Sequence, residues 1–175
     1  DIVVYWLFQS INQDKFLRAS INPKHVIFSD VFDPNFQNHY KESFDLVYSR
    51  GFIEHFINVS EAIDIHLNLL KTGGFLIVVI PNLKGINYYL AKFFNKESFA
   101  KHNLDIMDQK TFKDLFDLKN LKELYCGYYG VFNFGLFNAK TRFKKILLRI
   151  FMIFQYLLNF IFFNLFRNIR VESKY

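Results

Sequence analysis

Cysteine is almost absent from this sequence: Cys126 is the only one in 175 residues. A lone thiol can neither close a disulfide framework nor build a cysteine-based zinc site. A reducing cytosolic compartment is the expectation that follows. Glycine and proline are scarce too, at 7 and 3 residues, and the first glycine is Gly51. Internal repeats and low-complexity linkers are lacking. The start of the sequence has neither the positive n-region nor the small-residue cleavage site of a signal peptide. A strand pattern already under way at residue 2 leads us to expect a fragment. No arginine-rich stripe is interleaved with stacking aromatics, so the formal charge of +6 does not point to nucleic acid. An anionic membrane surface is the other partner that such a charge suits.

Apolar residues, by contrast, are plentiful. They make up 51% of the chain, 24 of them phenylalanine, and much of the aromatic weight lies late in it, which points beyond core filling. The length suits one domain. Residues 2–8 are β-branched and aromatic and read as a strand. Residues 11–19 read as a short helix, broken at Asn22-Pro23. Residues 25–28 and 44–49 read as further strands, with a polar, irregular stretch at 31–43. Ser60 is expected to cap a helix running to about Lys71, stopped by Gly73-Gly74. Residues 75–80 form a continuous apolar run, as in a strand covered on both faces. Helices are expected at 85–94 and 109–117, a strand at 121–125, and a long helix over 142–170. Strands alternating with helices predict an α/β fold with right-handed crossovers.

Two motifs stand out. Phe44-Asp45-Leu46-Val47-Tyr48-Ser49-Arg50-Gly51-Phe52-Ile53-Glu54-His55 and Leu69-Leu70-Lys71-Thr72-Gly73-Gly74-Phe75 are separated by the length of one helix. Together they resemble the fourth strand and the following "LLKPGG" turn of class I S-adenosylmethionine-dependent methyltransferases, with Thr72 where the family has proline. The resemblance covers roughly residues 2–130. It implies a Rossmann-like, doubly wound, mostly parallel sheet, incomplete in this sequence, followed by a long hydrophobic helix. The implied division is a partial methyltransferase domain over 1–140 and a helical extension over 141–175.

The resemblance also implies a site at the C-terminal ends of the strands, where open α/β sheets bind ligands. Asp30 stands where the family holds the adenine amino group, and Val31 would offer its backbone N–H to the ring. Ser49, Arg50 and Gly51 fall beside the methionine portion of S-adenosylmethionine. Glu54 and His55 follow at the rim of the acceptor pocket. His55 is the one candidate for a direct chemical role, though at this position the family's histidine is more often structural. Asp30 and Glu54 could each be simple turn caps. His25, His39, His66 and His102 show no metal-ligand spacing, so no metal is expected. Cys126 is expected as a small apolar residue at a strand end.

The family pattern fails in two places. No Gly-rich turn follows a first strand. The acid that binds the ribose hydroxyls would fall near Phe8 or Gln9, and neither is acidic. The expected function is methyl transfer from S-adenosylmethionine to an unknown acceptor, small or lipid-linked. The alternative is a non-catalytic remnant or membrane-surface module that keeps the fold.

Between Arg149 and Arg167 lies a charge-free run of about 17 residues, the lower edge for spanning a bilayer. On a helix, Lys144, Lys145, Arg149, Gln155 and Asn159 fall on one broad side, with Ile150, Phe154, Leu157, Leu158 and Ile161 opposite. Three readings are open: a helix in a membrane interface or against a lipid substrate, a helix covering the core as a lid, and a true span. The first places the chain at the inner face of a membrane.

Overall fold

The structure is a computed structural model, and it describes residues 6–8, 26–117, 119–128, 134–137 and 139–165. The expected helix over 11–19 lies outside them, as do Gln9 and the residues beyond 165. The fold is mixed α/β. Two compact units divide the chain: one contains 1–49 and 60–78, the other 50–59 and 79–175.

In the first unit, β1 (Trp6–Phe8) pairs in parallel with β2 (Val26–Phe28), Leu7 opposite Ile27. β3 (Phe44–Arg50) and β4 (Leu70–Val79) form a second two-stranded sheet. Ser43 N–H donates to Leu69 O before these strands, and Gly51 N–H donates to Val79 O at their far ends. Partners that advance in the same direction make the pair parallel. The helix between them, α2 (Val59–Leu69), buries Val59, Ala62, Ile63, Ile65 and Leu69. That spacing is one helical face. Among the described residues the four strands pair two by two rather than as one continuous sheet.

Three local expectations are corrected here. The polar stretch 31–43 contains a helix, α1 (Pro34–His39), whose first turn is capped by Asp33 Oδ1 accepting from Asn35 N–H at 2.9 Å. Proline at the first helical position and aspartate before it are the responsible signals. Gly73-Gly74 does not stop α2, which ends at Leu69 and passes directly into β4. β4 offers ten residues against seven in β3, and it takes up extra backbone near Gly73, where φ is +80°. Only glycine adopts that conformation without strain. The apolar run in β4 is not covered on both faces either: Phe75 and Ile77 are exposed while Leu76 and Val78 are half-buried.

The second unit has its own core of Leu83, Ala91, Phe94, Met107, Phe137 and Leu148. Phe94 stacks on Phe137 with ring centroids 5.8 Å apart, and Phe151 meets it edge-on. α3 (Ile86–Phe99) is kinked at Asn95, which leaves helical geometry and accepts from Ser98 N–H through its side chain. α4 (Gln109–Asp114) begins at Asp108, whose Oδ1 accepts from Thr111 N–H at 2.9 Å. Residues 121–125 are irregular rather than a strand, with Leu124 and Tyr125 largely exposed. Without a neighbouring strand an apolar run has no ladder to join. Cys126 therefore ends no strand; burial pushes its thiol pKa up.

α5 (Arg142–Leu165) is a 24-residue helix. Leu148 is buried in the core, Leu147 and Phe151 pack against it, and Gln155 Oε1 accepts from Phe134 N–H. Gln155 thus faces inward, not with the basic residues. A polar side chain can be turned to a core when a backbone donor there needs a partner. The opposite face leaves Ile150, Ile153, Tyr156, Leu157 and Phe160 exposed. Among the described residues no helix is long and apolar enough to cross a membrane.

Candidate functional site

The residues after β2 form a tight turn. Asp30 is exposed; its Oδ1 accepts from Phe32 N–H at 3.0 Å, and its carbonyl accepts from Asp33 N–H at 3.1 Å. This is an aspartate shaping its own backbone, so the capping role is present whatever else Asp30 does. Val31 is buried, and its carbonyl accepts from Gln37 Nε2.

At the end of β3, Ser49 Oγ is buried without a hydrogen-bond partner. An orphaned buried hydroxyl costs roughly 1–3 kcal/mol, and in a strand-end position it is a ready donor or acceptor for a ligand. Arg50 closes the strand and is exposed. Gly51 follows with φ +67°, which turns the chain sharply away from the strand direction. The strand end thus holds a buried hydroxyl without a hydrogen-bond partner, an exposed cation and a glycine that allows close backbone approach.

The chain then enters a 3-10 turn over Ile53–His55. Ile53 is fully buried and anchors it. Glu54 is also buried, 1% exposed, and neither carboxylate oxygen has a hydrogen-bond partner. Burial holds its pKa above the usual carboxylate range. The amides of Glu54 itself and Phe52 and the His55 ring offset part of this, without geometry good enough for a hydrogen bond. Glu54 O accepts from Asn103 N–H at 2.7 Å. That bond draws the 100–103 segment beside the turn, so the rings of His55 and His102 lie 4.5 Å apart between centroids. His55 Nε2 is 3.8 Å from Glu54 Oε1.

In the sequence His102 has no partner at metal-ligand spacing, and it reads as a surface or packing residue. The structure brings it to His55. No local motif carries that pairing; the visible signal was only the Glu-His dipeptide. His102 also lines a small cleft with Leu83, Ala91, Asn95, Ser98 and Phe99. Burial, then the neighbouring His55, lower its pKa, while the carbonyls of Ser98 and Phe99 partly restore it.

Comparison with known proteins bears on the strand-and-turn motifs. The family model described as "Methyltransferase domain" matches residues 10–78. No curated protein and no solved structure matches the chain. The match contains the first motif whole, the helix α2, and the Leu-Leu-Lys-Thr-Gly-Gly segment with most of the strand that follows it. Residues 10–78 are thus similar to a methyltransferase domain.

Proposed function

We propose that this chain is a methyltransferase module that uses S-adenosylmethionine and acts on a small or lipid-linked acceptor near a membrane surface. The observation that carries the reading is the match of residues 10–78 to the methyltransferase domain, with Ser49, Arg50 and Gly51 at the end of the matched strand.

The cofactor's sulfonium supplies an already activated methyl group. The protein's part is to hold donor and acceptor in line and exclude water. In this reading the Ser49 hydroxyl and the Arg50 guanidinium orient the amino-acid end of the donor, and the Gly51 backbone lets it approach. Asp30 and Val31 bracket the adenine. His55, more than a third exposed, takes a proton from the acceptor if that acceptor is a hydroxyl; a stronger nucleophile needs no base. The outward apolar face of α5, flanked by the exposed Arg142, Lys145 and Arg149, supports an acceptor presented at a lipid surface.

Affinity for the cofactor should be low. Phe8 and Gln9 stand where an acid would grip the ribose. Two or three lost contacts at about 1.5–3 kcal/mol each weaken binding tenfold for every ~1.4 kcal/mol. Calorimetric titration of the chain with S-adenosylmethionine is expected to give a dissociation constant in the millimolar range, weakened further by Ser49→Ala. Micromolar binding would mean that the anchors lie elsewhere. No binding at any concentration would favour a non-catalytic, membrane-surface module, the reading that the substituted Phe8-Gln9 position supports.

A further inference from the structure

The Glu54–His55–His102 cluster has a chemistry that methyl transfer does not use. One ligand-type atom from each of the three residues lies within 4.8 Å of the others. Tautomers are fixed by the surroundings. His55 Nδ1 is 3.1 Å from Lys101 O, and His102 Nδ1 is 2.9 Å from Ser98 O. A carbonyl only accepts, so both Nδ1 atoms carry the hydrogen and both Nε2 atoms keep an in-plane lone pair when the rings are neutral. An imidazole held through Nδ1–H by a backbone carbonyl, with Nε2 left open, is how protein histidines are oriented toward metals.

Glu54 is the second, independent observation. A buried carboxylate with both oxygens unpartnered is costly unless a cation or donor completes it. His55 Nε2 is the nearest candidate, but at 3.8 Å it is too far for a hydrogen bond. A neutral His55, moreover, offers a lone pair there rather than a hydrogen. That lone pair and the carboxylate repel; a cation between them removes the conflict.

We propose that Glu54, His55 and His102 bind one divalent d-block cation, with Zn2+ the best fit, through a carboxylate oxygen and the two Nε2 atoms. Two imidazoles and one carboxylate suit zinc, and three protein ligands leave the fourth position to water or an anionic ligand. Tetrahedral zinc with bonds of about 2.0–2.1 Å sets its ligand atoms about 3.3–3.5 Å apart. The separations, 3.8 Å from His55 Nε2 to Glu54 Oε1 and at most 4.8 Å among one ligand-type atom of each residue, close to that with small side-chain movements. The site lies wholly in the unit formed by 50–59 and 79–175; a bound cation occupies His55 Nε2, so a metal-loaded His55 does not also serve as a base.

The test uses the full chain, stripped with a chelator and titrated with Zn2+, and with Co2+ as a spectroscopic probe. One equivalent is expected to bind, with visible ligand-field bands for Co2+ that Zn2+ displaces. Glu54→Gln and His102→Ala are each expected to weaken binding at least about tenfold, while His39→Ala, outside the cluster, leaves it unchanged. Circular dichroism checks that the variants keep their fold. In the unmutated chain, Zn2+ should shift the ring resonances of His55 and His102 and leave those of His66 in place, so the proposal stands or falls even if a variant unfolds. Absence of stoichiometric binding, unchanged affinity in both folded ligand variants, or resonance shifts confined to other histidines would each overturn it.

Discussion

At the scale of single residues, Gly74 leaves no room for a side chain. A Cβ there would sit 2.8 Å from Leu70 Cδ1 and 3.0 Å from the backbone oxygen of Asp45. The leucine methyl can rotate away, but the carbonyl belongs to β3 and moves only with the strand. Gly74→Ala is therefore expected to destabilise the first unit by about 1–3 kcal/mol, read as a lowered urea midpoint. The neighbouring Gly73 differs in kind. Nothing lies within 4 Å of a Cβ there, and only its φ of +80° resists substitution, so Gly73→Ala should cost about 1–2 kcal/mol. Equal midpoints for Gly74→Ala and the unmutated chain would mean that β3 and β4 are not in close contact at this point. His66 is a second constrained residue: burial lowers its pKa although Ala62 O partly restores it.

At the scale of elements, the cap of α4 gives a pH prediction. Asp108 is held at a pKa of about 2, first by its hydrogen bonds to Thr111 and then by Lys84. A lowered folded pKa means that its contribution is complete above the ordinary value of 3.8 and is lost as pH falls toward 2. Removing the cap with Asp108→Ala should cost about 0.5–2 kcal/mol near neutral pH. Asp108→Asn should retain most of the stability, since asparagine caps equally well, but lose the extra acid sensitivity between pH 4 and 2. Thermal melts across that range distinguish the two. Elements with a strong local pattern were readable in advance: β3 from Phe44-Asp45-Leu46-Val47, α2 from its apolar face, and α5 from its length. α1 was hidden because its polar composition masks a cap made of two residues, Asp33 and Pro34. The strand expected at 121–125 failed for the opposite reason, since apolar residues alone do not supply a neighbour to pair with. The site divides in the same way. Ser49 to Gly51 and Glu54-His55 are contiguous and could be recognised as a motif. His102 reaches His55 through the Asn103–Glu54 backbone bond and the His55–Lys101 bond, which no periodicity encodes.

At the scale of the whole molecule, both units carry exposed apolar side chains. Leu46, Tyr48, Phe75 and Ile77 are exposed on β3 and β4, and the outer side of α5 has Ile153 at 74% and Phe160 at 69% exposure. The proposed membrane contact concerns the latter face. Burying one such side chain contributes about 1.5–3 kcal/mol. Replacing both Ile150 and Ile153 by aspartate is expected to lower co-sedimentation with anionic phospholipid vesicles by about tenfold or more, without disturbing the core built on Leu148. Raised salt should weaken the unmutated chain's binding, as screening removes the contribution of the exposed basic residues. Equal sedimentation of the two chains would exclude this face as the contact.

The direct passage from α2 into β4 fixes the length of the chain at that point. A loop can absorb an added or deleted residue, because its ends stay where they are. Leu69 and Leu70 have no loop between them. One residue inserted at this junction must either rotate α2 by a third of a turn or slide β4 by one position. The slide would exchange the half-buried Leu76 and Val78 with the exposed Phe75 and Ile77, and it would carry Gly74 away from Asp45. Substitutions here change energies, but insertions and deletions change which face of the strand is inside. This is accordingly the place in the described chain where homologous proteins are expected to vary in residue type and not in length.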